Sequence, residues 1–207
     1  MGISRIWFTS DTHAYHENII RYSNRPFDDV HIMNQCMADN LNSVVQPNDT
    51  LYHLGDVSSW RGEGQVEEFR RMIKCKNIHL VFGNHDHQLR KMAKNDSTIF
   101  HSMFASWHDL LEIKVGDQPI ILCHFALRTW NKQHYDAWHL YGHSHGSLPD
   151  DPNSLSIDVG VDTELFGHKR FMPYSYDEIR AIMKKHKVWK PVDHHTGKLA
   201  NYERAPH

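Results

Sequence analysis

Apolar residues along the chain fall into short continuous runs separated by stretches of helical period. The runs cover residues 3–8, 51–54, 78–82, 120–123, 138–141 and 155–161. They are rich in Ile, Val, Leu and aromatic residues and are followed by Gly or polar positions, the pattern of strands buried on both faces. Between them the spacing predicts a helix capped by Asp28 or Asp29, with Val30, Met33, Met37, Leu41 and Val44 on its inner face and Pro47 at its end. A second helix is predicted near residues 63–74, where Val66, Phe69 and Ile73 share a face and Lys74 sits at the negative end. A third starts at Ser175, because Ser175 and Glu178 have capping-box spacing, and turns Ile179, Ile182 and Met183 inward. Strands alternating with helices predict one layered α/β domain over residues 1–190, and residues 191–207 lack periodicity and read as a C-terminal tail.

Charge and composition narrow the function. The chain carries 23 Lys plus Arg against 25 Asp plus Glu, which argues against a basic face that holds long nucleic acid. No apolar run approaches ~18 residues, so no membrane span is expected. Residues 1–10 read as a strand rather than a leader. Cys36, Cys75 and Cys123 are an odd count with no C-x-x-C pair, which excludes a disulfide framework and a thiolate zinc site and points to a reducing, cytoplasmic compartment. Histidine is abundant, at 19 of 207 residues, and with 17 aspartates it raises the expectation of metal binding.

Position carries more than abundance. Asp11-Thr-His13 follows the first run, Gly55-Asp56 the second, and Gly83-Asn84-His85-Asp86 the third; His124 ends the fourth and Gly142-His143-Ser-His145 the fifth. A lone D-x-H triplet means little, since Asp29–His31 and Asp193–His195 have the same spacing. Chance does not supply the ordered set, each member directly behind a strand, at the edge where open α/β sheets bind ligands. Residues i and i+2 of an extended chain point to one side, so Asp11 with His13, and His143 with His145, are expected to converge. Asp, His and Asn donors without sulfur suit Mn²⁺, Fe²⁺ or Zn²⁺. Seven such donors exceed what one catalytic zinc takes and argue for two ions sharing a carboxylate.

The ordered motifs D-x-H, G-D, G-N-H-D, H and G-H-x-H, read here as Asp11/His13, Asp56, Asn84/His85, His124 and His143/His145, resemble the calcineurin-like metallophosphoesterases. SDTHAYHENI near the start, LRTW to LYGHSH, and VGVD later are similar to compact bacterial and phage members. The resemblance implies a four-layer α/β-β/α sandwich with mixed sheets flanked by helices and the site at the strand ends. It implies that Asp11, His13, Asp56 and His145 hold one divalent ion, and that Asp56 bridges to a second held by Asn84, His124 and His143. His85 would be the catalytic acid or a transition-state stabiliser and not a ligand. The implied activity is hydrolysis of a small phosphodiester, with phosphomonoesters as the alternative, through attack of a metal-bridging hydroxide. Manganese is the first expectation, with iron, zinc or nickel as alternatives. A noncatalytic scaffold on the same fold is the competing class. One departure bears on substrate: the protein-phosphatase branch reads G-D-x-x-D-R-G, and Ser59 stands here at the second aspartate.

Substrate contacts are expected from His16 and Asn18, shortly after His13, and from Arg128 and Trp130, just beyond His124, which would pair with phosphate and stack on a base. Arg25 and Arg61 read as solvated, as do residues 168–170 and the tail residues His194 and His195. His53 and His139 lie inside apolar runs and are expected to make core hydrogen bonds, and Cys123 to be a buried thiol. Asp158 and Asp162 are expected in turn or supporting positions rather than as ligands. Nothing in the pattern sets an oligomeric state.

Overall fold

Two sheets carry the chain in a computed structural model that describes residues 4–58, 64–95, 97–164 and 167–186. In the first, β1 (Ile6–Thr9), β2 (Thr50–His53), β3 (Asn77–Val81) and β4 (Ser106–His108) run parallel, and β9 (Tyr174–Ser175) pairs antiparallel with β1, in the order β4-β3-β2-β1-β9. In the second, β5 (Leu110–Val115) lies antiparallel to β6 (Gln118–Cys123), which runs parallel to β7 (Trp138–Tyr141) and through it to β8 (Ser156–Asp158).

The period of two along each strand sends alternate residues to separate cores. Trp7, Leu51, Ile78 and Leu80 face the helices α1 (Glu17–Tyr22), α2 (Val30–Val44), α3 (Gln65–Met72), α4 (His87–Asn95) and α5 (Ser97–Met103). Phe8, Leu54 and Val81 pack instead with Ile120, Leu122, Leu140 and Ile157 of the second sheet, together with Ile179, Ile182 and Met183 of α6 (Tyr176–Met183). Each fully buried aliphatic or aromatic side chain here contributes about 1.5–3 kcal/mol, which makes the facing sheets a rigid mount for the loops they carry. On the far face of the second sheet His139 is held as expected, between Ile121 O and Leu127 N.

The expected caps are present. Asp29 Oδ1 accepts from His31 N at 2.7 Å and Ile32 N at 2.9 Å, and Ser175 forms the full capping box with Glu178. The long predicted run at 155–161 is shorter as a strand, because beyond Asp158 the chain leaves the ladder toward a bridge between Gly160 and Ser10. That bridge ties the two sheets together at the edge where β1, β2, β6 and β7 all end. The β5–β6 hairpin was not anticipated: Val115 pairs with Gln118 across a two-residue Gly116-Asp117 turn. The predicted tail lies outside the described residues, as do Ser59 and Arg61. Among the described residues no helix is long and apolar enough to cross a membrane, and Cys36, Cys75 and Cys123 are free thiols.

Candidate metal centre

The donors stand on tight turns rather than on extended chain. Asp11, His13, Asp56, His143 and His145 all have positive φ, at 60°, 48°, 56°, 68° and 48°. This corrects the expectation that i and i+2 converge by strand geometry: convergence comes from left-handed backbone, which Asp and His tolerate better than most residues. The turns lock onto one another, with Asp11 N bonded to Gly55 O at 3.0 Å and His13 N to Asp56 O at 2.9 Å. Asp86 completes the frame, because its carboxylate accepts from Gly83 N and Asp56 N at 2.7 Å and from Val57 N at 3.0 Å. Two glycines permit the crossing. A Cβ on Gly83 would lie 2.6 Å from Asp56 N, and one on Gly142 would strike Ser10 and the Asp11 carboxylate.

Two donor groups result, Asp11 with His13 and His145, and Asp56 with His124 and His143; within each, the ligand atoms lie within 4.8 Å of one another. Asn84 Oδ1 joins the second group, 3.0 Å from His124 Nε2. Asp56 Oδ2 lies 3.5 Å from His13 Nε2 and 3.3 Å from His124 Nε2. Asp11 Oδ1 lies 3.9 Å from both His13 Nε2 and His145 Nε2. Donors bound to one ion at ~2.1 Å stand roughly 3–3.5 Å apart, so these gaps suit a cation better than a hydrogen bond.

The residues fit divalent ions on a second ground. Asp11 Oδ1 and His13 Nε2 are buried with no hydrogen-bond partner among the described residues, an arrangement that folded proteins avoid unless something else satisfies the atoms. The ring of His124 is set for the same purpose: its Nδ1 lies 2.7 Å from Leu54 O and donates to it, which turns Nε2 toward Asp56 and Asn84, where loss of its proton exposes a lone pair.

Electrostatics reflect the crowding. Burial pushes the Asp11 carboxyl up to about 7, against the pull of His145 and His124. Burial works against a charge on His124, yet Asp56 and Asp11 beside it raise it to about 9. Asp56 is buried too, but His124 and His13 hold it well below the usual carboxylate range. Burial lowers His13 far below an ordinary imidazole and takes His53, in its core position against Thr12, to about 3.

The other candidates fall at different distances. His85 belongs to neither donor group; its backbone N–H donates to Asp56 Oδ1 at 2.8 Å and its ring centre lies 5.1 Å from that of His13. His16 is nearby, 5.5 Å from the His13 ring and 6.0 Å from the His85 ring. Asn18 is exposed and lines a different cavity of about 430 Å³ with Glu17, Arg21, Asp28, Asp29 and His31. Arg128 is exposed beyond β6. Trp130 packs against the second core with its indole N–H bonded to Ala137 O, so it is not the aromatic beside the donors. That residue is Phe125, 44% exposed, with its ring 4.8 Å from that of His143. Its signal in the sequence is its place directly after His124 at a strand end.

Two readings of surface residues are corrected. Arg25 is buried, because its guanidinium pairs with Asp162 and with the carbonyls of Asp11 and Thr12. Of residues 168–170 only Lys169 is exposed: the His168 ring stacks on Tyr174, and Arg170 reaches Asp162. Asp158 and Asp162 hold the supporting positions expected of them. Asp158 accepts from Ser144 Oγ and from the backbone of Gly146 and Gly160.

A double-cored α/β fold with paired Asp/His/Asn donor groups at its strand ends defines a metal-dependent phosphoesterase. The sequence model of the family described as calcineurin-like phosphoesterase matches residues 4–170, and the chain belongs to that family. It is 30% identical over 200 residues to the uncharacterized protein MJ1445 of Methanocaldococcus jannaschii, covering 93% of this chain and 99% of that one. It is 27% identical over 182 residues to the gene 66 protein of Mycobacterium phage L5, covering 77% and 87%. The protein of unknown function AQ665 from Aquifex aeolicus shares the fold, with a TM-score of 0.62 at 24% identity over 87% of this chain and 100% of that one.

Proposed function

We propose that the chain is a dinuclear-metal phosphoesterase acting on small phosphodiesters, with phosphomonoesters as secondary substrates. The observation that carries this reading is Asp56 Oδ2, a single oxygen that faces a donor of each group, His13 on one side and His124 on the other. Asp11, His13, Asp56 and His145 would hold one cation, and Asp56, Asn84, His124 and His143 the other. Bound there, two divalent cations supply the concentrated positive charge and the activated water that hydrolysis of a phosphate ester requires. Asp11 and Asp56 are the only anionic donors in the set, so the loaded site keeps a net positive charge that draws a phosphate anion.

The remaining tasks fall to the chain itself. His85 is half-buried, outside both groups and beside His13, where an imidazole can give its proton to the departing alkoxide oxygen. His16 lines the same wall and is suited to contact the ester. Phe125 offers a flat apolar face next to His143, on which the second ester group of a diester can rest. Ser59, at the position where the protein-phosphatase branch has aspartate, favours a small substrate over a phosphoprotein. A net charge of −2 gives no basic track for long nucleic acid. Oxygen and imidazole donors suit Mn²⁺, and three free cysteines suit a reducing, cytoplasmic compartment.

The test is Mn²⁺-dependent hydrolysis of bis-p-nitrophenyl phosphate, expected to exceed that of p-nitrophenyl phosphate and to vanish in Asp56→Asn. Activity that survives Asp56→Asn would overturn the reading, and no turnover with Mn²⁺, Fe²⁺, Zn²⁺ or Ni²⁺ would favour a noncatalytic scaffold.

A further inference from the structure

We propose that Asp162, braced by Arg25, is the positioning residue of the first cation site: it fixes the His145 ring so that Nε2 faces the cation, while Arg25 locks the Asp11–Thr12 turn to the same carboxylate. The inference rests on the dinuclear reading above.

Arg25 lies between α1 and α2, yet its side chain is fully buried. A buried guanidinium is costly unless its donors are met, and here four residues meet them. Nε and Nη2 form a fork on Asp162 at 3.0 and 2.8 Å; Nη2 also donates to Asp11 O at 2.7 Å; Nη1 donates to Thr12 O at 3.0 Å and meets Met33 Sδ at 3.4 Å. Asp11 and Thr12 belong to the left-handed turn that presents two donors, Asp11 and His13. One planar group thus fastens that turn to Asp162, a carboxylate 137 positions beyond Arg25 in sequence.

Asp162 passes the constraint on. Its Oδ2 lies 2.7 Å from His145 Nδ1, and its Oδ1 takes a further hydrogen bond from Arg170 at 3.1 Å. Ser23 Oγ approaches the same ring nitrogen at 3.3 Å. The opposite nitrogen, Nε2, points toward Asp11 Oδ1. A carboxylate on Nδ1 holds the N–H there, leaves the Nε2 lone pair for a cation and fixes the plane of the ring. His124 achieves the same with Leu54 O. Stability alone is a poor reason for the Arg25–Asp162 pair, because an apolar pair of similar volume often stabilises as well. Its acceptors and donors are aimed at two cation donors, which an apolar pair could not orient.

Mn²⁺ titration of Asp162→Asn, followed by calorimetry and by electron paramagnetic resonance, tests this without reference to turnover. Wild-type protein is expected to take two ions and to show the coupled-pair spectrum at two equivalents. In Asp162→Asn one site should weaken by about 10–100-fold, so that an isolated-ion spectrum persists at two equivalents while the chelated variant still melts cooperatively. Two ions bound with wild-type affinity by the variant would overturn the positioning role and leave the dinuclear reading intact. A wild-type protein that binds fewer than two ions would overturn the dinuclear reading itself. Should Asp162→Asn not fold, Arg25→Lys reads the same affinity. A lysine keeps the charge but cannot span the carboxylate and both carbonyls, so the same site should weaken, and unchanged affinity would overturn the proposal.

Discussion

Filling the centre with cations should expel protons, and the environments of two donors set how many. Ligands bind divalent ions only in their deprotonated forms. Without ions, burial holds the Asp11 carboxyl at about 7, and Asp56 and Asp11 keep His124 charged up to about 9 even though burial opposes that charge. At pH 7 Asp11 is therefore about half protonated and His124 almost wholly so, so these two ligands alone release roughly 1.5 protons per chain, besides any proton lost by a water bound to the cations. The count rises toward about 2 at pH 6 and falls toward about 1 at pH 8. His145 adds a further fraction, since Asp162 and Asp11 sustain its charge against burial. His13 and His143, which burial lowers, add less than an ordinary imidazole would. Protons leave on binding, so apparent affinity climbs with pH, by about 30-fold across the unit centred on pH 7. Calorimetric titration of Mn²⁺ into chelator-treated protein, repeated in buffers of different ionisation enthalpy at pH 6, 7 and 8, yields the count directly. Release near zero at pH 7, or an affinity indifferent to pH, would refute the assignment of Asp11 and His124 as ligands that carry protons when no ion is present.

His85→Gln should retain two Mn²⁺ per chain and lose about 10²–10⁴-fold in turnover of substrates with poor leaving groups, with a smaller loss for nitrophenyl esters, whose leaving oxygen needs no proton; equal losses on both would point to another role. Phe125→Ala should raise KM for an aromatic diester by several-fold, roughly the 0.5–1.5 kcal/mol of an aromatic contact, and leave that for methyl phosphate esters unchanged, as a steady-state comparison will show. Gly142→Ala drives a Cβ into Ser10 and Asp11 and should cost about 1–3 kcal/mol by overpacking along with much of the Mn²⁺ affinity. Gly116→Ala meets nothing within 4 Å, so it should cost only the ~1–2 kcal/mol of left-handed backbone and leave metal affinity as it was; thermal melts and Mn²⁺ titrations of the pair separate strain from site damage.

What could be read from the sequence depended on the range of the signal. The strands before the donors were legible because a strand buried on both faces is a local apolar run, and β7 spans the predicted residues 138–141. The candidate donors were legible because polar residues at strand ends keep their order in the chain. β5 left a signal of its own, with Leu111, Ile113 and Val115 alternating with Glu112 and Lys114 ahead of Gly116-Asp117, but its half-exposed faces dilute the run that marks a buried strand. Arg25 had no local signal at all. An arginine in a connector is usually solvated, and only the fold brings it to Asp162. The same holds for Trp130 and Phe125, since which of two aromatics faces the centre depends on the path of the segment after β6.

The left-handed turns explain how the centre keeps its shape. Five of the ten described non-glycine residues with positive φ are candidate metal donors, and a left-handed residue with a side chain costs about 1–2 kcal/mol. That strain persists only where the surroundings over-determine it, and here each turn is tied to another through its backbone. Asp56 N reaches Asp86, His85 N reaches Asp56 Oδ1, and His143 N reaches Asp11 Oδ2 at 2.9 Å. Together with Asp11 N to Gly55 O and His13 N to Asp56 O, those bonds join loops after β1, β2, β3 and β7 into one frame, and none of them needs an ion. Donor geometry is therefore a property of the folded chain and not of the loaded centre, so removing the ions should abolish chemistry while leaving the turns in place. Ring orientation then falls to the two ring-fixing partners, Leu54 O for His124 and Asp162 for His145, because a backbone frame places each Cα but leaves the imidazole plane free to turn.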